Sequence, residues 1–160
     1  MQIINKIAVL LLLTSSFYVF AESPNVFEYQ VQQPMSQIYG RLYKELEDDG
    51  FYVVFEANIG KNLSRMADKW GENYNRNQLD GIRSMVFCNG WYANAVSNAD
   101  PDMLALCPLR MSLVEKAGKT SALFARPSVI ASGSAAKPLL EKIESEVIAA
   151  IKQAMDSRKP

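Results

Sequence analysis

Histidine is absent from this 160-residue chain, and cysteine occurs only twice, at Cys88 and Cys107. Without histidine, the chain alone cannot form a Ser-His-Asp triad or a Cys-His nucleophile pair. It has no imidazole ligand for a metal ion, and two cysteines far apart in sequence are a weak start for a four-ligand zinc site. The sequence therefore predicts no metal site and no cofactor, and it contains no catalytic constellation that indicates an enzyme.

The chain also lacks an excess of either charge. Lysine and arginine total 17, and aspartate and glutamate also total 17. Nucleic-acid affinity rests on clustered basic residues, so we expect no nucleic-acid partner. A phosphate-binding glycine loop is missing as well, because the stretch EANIGKNLS (56–64) has a single glycine before its lysine where a P-loop needs more.

The first 21 residues, MQIINKIAVLLLLTSSFYVFA, have the features of an export signal. Lys6 precedes a short apolar run (7–13), and Val19 and Ala21 are small residues three and one positions before a cleavage site. The run is shorter than the ~20 apolar residues of a membrane-spanning helix. We therefore predict a signal peptide over 1–21 that is cleaved after export.

Cleavage after Ala21 leaves residues 22–160 as a single domain, and no cysteine follows the apolar run as a lipid-attachment site. Lys6 is the only charged residue removed, so 16 basic and 17 acidic residues remain and the net charge becomes −1. The prediction is a periplasmic or secreted protein with no membrane span after cleavage. An uncleaved anchor over residues 7–21 is the alternative.

Hydrophobic periodicity predicts the elements of this domain. Strands are predicted where side chains alternate or where β-branched and aromatic residues are dense, at 25–33, 51–59, 83–88, 109–115 and 120–126. Helices are predicted at 36–49, 61–70, 90–106 with a break near Asp100–Pro101, and 135–156. This order predicts an α+β fold, a two-layer sandwich with helices packed on one face of a mixed sheet of about five strands.

The predicted helices carry apolar stripes and end signals. The first has its stripe at Ile38, Leu42 and Leu46, with Ser36 as N-cap and Gly50 as the stop. The second places on one face Leu63, Met66, Ala67 and Trp70, which predicts that Trp70 belongs to the core. Ser134 is the predicted cap of the last helix, and residues 71–82 are predicted to form a polar loop.

Several short motifs resemble a known family. These are GFYVVFEANIGKNLSRMA (50–67), Cys88-Asn89, DPDM (100–103) and LCPLRMSLVE (106–115), in this order. In that order and spacing the chain is similar to the domain of unknown function 302 family over roughly 35–125. The resemblance implies a compact α+β fold that is often dimeric, so a homodimer is a possible assembly. The family has no established activity, and the resemblance therefore implies a fold rather than a reaction.

The two cysteines allow two interpretations. In an oxidising compartment two cysteines usually pair, and a Cys88–Cys107 disulfide closing about 20 residues would stabilise the fold by roughly 3 kcal/mol. Alternatively, Cys88 is a reactive or redox-sensing thiol at a strand-to-helix junction, where backbone N–H groups lower a thiol pKa. Against reactivity, the chain has no Cys-X-X-Cys motif.

The same region also has the composition of a binding pocket. An aromatic floor, amide donors and one guanidinium suit a small polar or anionic ligand, and the candidates are Asn89, Trp91, Tyr92, Asn94 and Arg110. The structural alternative is that the aromatics close the core edge and the amides cap turns. We predict an exported, non-catalytic binding or interaction module for an unknown small polar ligand or protein partner, stabilised by a disulfide. A periplasmic thiol-dependent redox protein or sensor using Cys88 is the alternative.

Overall fold

Residues 25–157, which the computed structural model describes, form a five-stranded sheet with helices packed against it. The strands are β1 (Val26–Val31), β2 (Tyr52–Ala57), β3 (Gly81–Cys88), β4 (Leu109–Lys116) and β5 (Lys119–Ala125). Their order is β1-β5-β4-β3-β2, and every neighbouring pair is antiparallel. The predicted α+β class and strand number are confirmed. The expected mixed sheet is wrong, because no two neighbouring strands in 25–157 run parallel.

Six helices connect or flank these strands in the described residues. They are α1 (Met35–Asp48), α2 (Ile59–Ser64), α3 (Ala67–Trp70), α4 (Gly90–Ala99), α5 (Pro127–Ile130) and α6 (Lys137–Asp156). Short 3-10 segments follow α3 at 71–73 and α4 at 101–106. The predicted signal peptide over 1–21 lies outside the described residues.

One face of the sheet supplies the core. Met85, Met111 and Phe124 are paired across three neighbouring strands and are all buried. The stripe of α1 at Ile38, Leu42 and Leu46 and the inner side of α6 pack in the same apolar cluster. Burial of each large apolar side chain contributes about 1.5–3 kcal/mol, so these contacts account for most of what holds the two layers together.

The two ends of α1 are stabilised differently, the first by a contact with a distant strand and the second by a local glycine. The helix begins at Met35 rather than after Ser36, and Pro34 in extended conformation stands at its N-cap position. Its first N–H, that of Met35, donates to Oε2 of Glu115 on β4 at 3.2 Å, so a distant strand replaces the expected serine cap. Gly50 ends the turn with φ +79°, as predicted from its freedom to adopt a left-handed conformation.

The predicted helix over 61–70 is divided into two. α2 begins after Asn58, whose side chain accepts the backbone N–H of Lys61 at 2.9 Å, and Met66 separates α2 from α3. Trp70 is 38% exposed, so its predicted place in the core is wrong. The two helices are too short to bury one continuous stripe, and neither contains a fully buried residue.

The last helix begins slightly later than predicted. α6 starts at Lys137 with Ala136 as its N-cap residue. Ser134 lies two residues earlier, where its hydroxyl accepts the Ala136 N–H at 3.1 Å and donates to a carboxylate oxygen of Asp100. Ser134 therefore organises the approach to α6 and links it to the break after α4.

Candidate functional site

Cys88 is the last residue of β3, and Asn89 follows it as the N-cap residue of α4, which begins at Gly90. The side-chain oxygen of Asn89 accepts the N–H of Tyr92 at 3.1 Å, which satisfies one of the free donors at the helix start. A β-carbon at residue 50 would lie 3.1 Å from Nδ2 of Asn89, so Gly50 gives this amide its space. Asn89 thus has a structural role that holds the strand-to-helix junction in place.

Cys107 returns to the same junction from the far end of α4. The helix ends at Ala99, and a 3-10 segment begins at Pro101 with the carboxylate of Asp100 accepting the N–H of Asp102 at 3.1 Å. This is the break that the Asp-Pro pair predicts. The chain reverses there, and the two sulfur atoms of Cys88 and Cys107 come within 3.2 Å of each other.

At this separation the cysteines are two thiols in contact. A disulfide requires sulfur atoms about 2.05 Å apart, so the structure brings the predicted partners together without a bond between them. Burial, followed by the contact with Cys88, raises the pKa of the Cys107 thiol to about 11. A thiol with this pKa has little nucleophilic thiolate at neutral pH.

The space beside the sulfurs is small and apolar. A cavity of about 30 Å³ is bounded by the two cysteines and by Phe51, Asn89, Tyr92, Ala93, Val96, Met103, Leu106, Leu109, Leu140 and Ile143. This volume holds about one water molecule, and water needs polar partners that these walls barely supply. The cavity itself therefore has no room for a substrate.

The five predicted ligand-binding residues do not share one pocket. Asn89 and Tyr92 border the small cavity, whereas Arg110 lines a separate pocket of about 380 Å³ at the ends of β4 and β5. Trp91 is 68% exposed and its ring meets Tyr92 edge-on at 5.1 Å, and Asn94 is exposed on α4. A joint binding role for these residues stays a prediction.

Tyr92 is a core residue with one polar contact. Its ring stacks on Phe51 with centroids 6.0 Å apart, and its hydroxyl donates to the carboxylate of Glu146, whose oxygens lie 2.7 and 2.8 Å away. Burial and this hydrogen bond raise the pKa of Tyr92. The side chain joins α4 to α6. These contacts agree with the structural alternative, in which the aromatic side chains close the edge of the core.

Two further properties concern the described part of the chain. Within residues 25–157, no three carboxylate or cysteine side chains come together as a potential metal site. Over the same residues, no helix combines the length and the apolar character that a membrane crossing requires.

Comparison with known proteins identifies the family. The family model described as "Domain of unknown function DUF302" matches residues 27–157. The chain belongs to this family. The resemblance seen in its short motifs is thereby confirmed.

A solved structure supports the same assignment for the fold. This DUF302 chain superimposes on the crystal structure of an uncharacterized conserved DUF302 protein from Bacillus stearothermophilus with a TM-score of 0.68. The two sequences are 18% identical, and the match covers 82% of this chain and 99% of the other. At this identity the likeness establishes a shared fold. No curated protein matches the sequence.

A larger pocket of this DUF302 domain includes none of the five ligand-binding residues predicted from the sequence. The connection from β2 to β3 borders a partly open pocket of about 680 Å³, whose walls come from residues 60–82. A signal was present in WGENYNRNQLD (70–80), which combines two aromatics, three asparagines and an arginine. Its polar composition predicts only a loop, because no local pattern shows that the segment forms the wall of a pocket.

Proposed function

We propose that this chain is an exported, non-catalytic binding protein whose two cysteines form a structural disulfide in the compartment where it works. The observation that carries the proposal is the 3.2 Å contact between the sulfurs of Cys88 and Cys107. Closing the bond requires the sulfurs to approach by about 1 Å, a movement small enough for two side chains at the ends of neighbouring segments.

The chemistry of closure needs an electron acceptor. The two thiols lose two electrons and two protons, and a disulfide supplied by an oxidoreductase or a small-molecule disulfide takes them up to become two thiols. Exported proteins meet such oxidants in the compartment that the predicted signal over 1–21 would direct them to.

Two features favour a structural pair over a catalytic thiol. The raised pKa of Cys107, about 11, opposes thiolate formation at neutral pH. The cavity of about 30 Å³ beside the sulfurs is itself too small to hold a substrate. The redox function at Cys88, the alternative from the sequence, shares the close sulfurs with the structural one but has no enclosed substrate pocket beside it.

The test is the intact mass of the exported protein, alkylated first without and then with reductant. The proposal expects a mature chain beginning near Glu22, no alkyl group before reduction and two afterwards. Cys88→Ser and Cys107→Ser variants serve as controls, because each leaves one thiol that reacts without reductant. Alkylation of the oxidised wild-type protein before reduction, or a retained segment over 1–21, would contradict the proposal.

A further inference from the structure

The pocket formed by the connection from β2 to β3 is much larger than the cavity beside the cysteines, and hydrogen bonds within the connection fix its wall. Its volume of about 680 Å³ lies within the range of small-molecule sites, which is roughly 300–1,000 Å³. It stands apart from the cysteine end of the fold, because its lining includes neither sulfur and none of the residues around the small cavity. Any ligand bound here would be independent of the thiol pair.

Hydrogen bonds hold this wall in one shape. The amide of Asn75 donates to the carbonyl of Leu79 and its oxygen accepts the Leu79 N–H, both at 2.9 Å. Asp80 then ties the segment to the turn after β4, since its carboxylate accepts the N–H of Ala117 at 2.7 Å. A pocket that is already shaped loses less conformational entropy when a ligand binds.

The charges lining the pocket favour an anion. Lys61 and Arg76 are both exposed, and neither forms an ion pair among the residues that the structure describes. Asp80 is the third charged residue of the lining, and its carboxylate is already engaged by a backbone donor. A guanidinium binds a carboxylate through two parallel hydrogen bonds, which makes Arg76 the natural anchor for that group.

The remaining walls combine aromatic and amide surface. Trp70 is 38% exposed and Tyr74 is half-buried, so both offer ring surface to a ligand. The amides of Asn73 and Asn77 are exposed and form no side-chain hydrogen bond within 25–157. A purely apolar ring would leave these amides without partners once water is displaced, whereas hydroxyl groups would replace that water.

From these features we propose that the β2–β3 pocket binds an acidic sugar, a hydroxylated ring that carries one carboxylate. The carboxylate pairs with Arg76 and Lys61, the hydroxyls bond to the asparagine amides, and the ring lies against Trp70. The inference rests on the proposed binding function and assigns its ligand class. It differs from the pocket predicted around Asn89, which lies at the opposite end of β3.

The fluorescence of Trp70 reports whether a ligand binds in the pocket. The chain has two tryptophans, so the full-length Trp91→Phe variant leaves Trp70 as the only indole. Titration with D-galacturonate at low ionic strength is expected to give a saturable change in its fluorescence. D-galactose, which lacks only the carboxylate, should bind at least tenfold more weakly, and benzoate, which lacks the hydroxyls, should do the same.

Matched variants locate the site. In the Trp91→Phe background, Arg76→Gln and Lys61→Gln should each weaken galacturonate binding about tenfold or more. Arg65→Gln and Lys69→Gln are the controls, because both residues are exposed on the same connection and neither lines the pocket. Circular dichroism confirms that all four variants are folded.

Each other outcome overturns the proposal. No saturable response to galacturonate excludes the ligand class, and equal affinity for galactose excludes the anionic anchor. Stronger binding of benzoate excludes the sugar, and equal losses in Arg76→Gln and Arg65→Gln exclude the pocket. The alkylation experiment is independent, so a protein with a closed disulfide that fails to bind galacturonate would overturn this inference alone.

Discussion

Arg126 and Glu144 form an ion pair in which Nε of Arg126 lies 2.9 Å from Oε1 of Glu144. Glu144 is 7% exposed on the inner side of α6, and its other oxygen accepts the N–H and the hydroxyl of Ser128. Arg126 directly follows β5 and Ser128 belongs to α5. One buried carboxylate therefore joins the end of the sheet to the longest helix.

Replacement of the Glu144 carboxylate should destabilise the folded protein. We expect Glu144→Ala to lower the free energy of unfolding by about 2 kcal/mol, less than the loss of a fully buried pair because Arg126 is partly exposed. Urea denaturation measures the change. Glu141→Ala is the control, since its pairing with Lys137 one turn away is exposed and contributes about 0.5 kcal/mol or less. Equal losses in the two variants would contradict the structural role of Glu144.

Two glycines, Gly40 inside α1 and Gly50 just after it, should change the stability in opposite directions when replaced by alanine. Gly50 has φ +79° and a β-carbon there would lie 3.1 Å from Asn89, so Gly50→Ala should destabilise the fold by about 1–2 kcal/mol. Gly40 lies inside α1 with no atom within 4 Å of its would-be β-carbon. Gly40→Ala should therefore stabilise by up to about 1 kcal/mol, and thermal unfolding that shows the same sign for both would refute this.

Oxidation of the cysteine pair should raise stability. A disulfide that closes a loop of about 20 residues should make the oxidised protein about 3 kcal/mol more stable than the reduced protein. Urea denaturation with and without reductant measures the difference. The Cys88→Ala/Cys107→Ala double variant is the control and should be insensitive to reductant. A wild-type protein that is equally stable in both states would show that the bond, if formed, strains the native contacts.

The reduced protein should lose stability in alkaline solution. The pKa of Cys107 is about 11 in the folded protein and 9.0 without the fold. Between these values the unfolded chain releases a proton that the folded protein retains, so the free energy of unfolding falls as pH rises from 9 to 11. Reduced wild-type protein should show this loss beyond what reduced Cys107→Ser shows, and identical pH profiles would contradict it.

The part of the fold that follows from short-range pattern could be predicted from the sequence. The stripe of Ile38, Leu42 and Leu46 and the stop at Gly50 depend on helix periodicity and on one residue's backbone freedom. Strand pairing depends instead on contacts between distant segments. For this reason the sheet was expected to be mixed, although β1 pairs with β5 and all neighbours are antiparallel.

For the candidate sites as well, some features could be predicted from the sequence and others depend on tertiary packing. A pairing of Cys88 and Cys107 was predicted, because two cysteines in an oxidising compartment usually pair and the helical run between them can fold back. The 3.2 Å gap between their sulfurs and the raised pKa of Cys107 depend on the packing around them. That Arg110 lines a different pocket from Asn89 depends on where β4 begins relative to α4, which no local pattern encodes.

By itself the sequence determined the class of fold, the family, the first helix and the meeting of the two cysteines, because each depends on periodicity, turn chemistry or motif order. Only the tertiary structure decided the strand directions, the exposure of Trp70 and the pocket between β2 and β3. The physical reason is that the pocket wall is tied to the turn after β4, where the N–H of Ala117 donates to the carboxylate of Asp80 from 37 residues away. Such contacts are selected by the whole fold and not by the residues next to them in the chain.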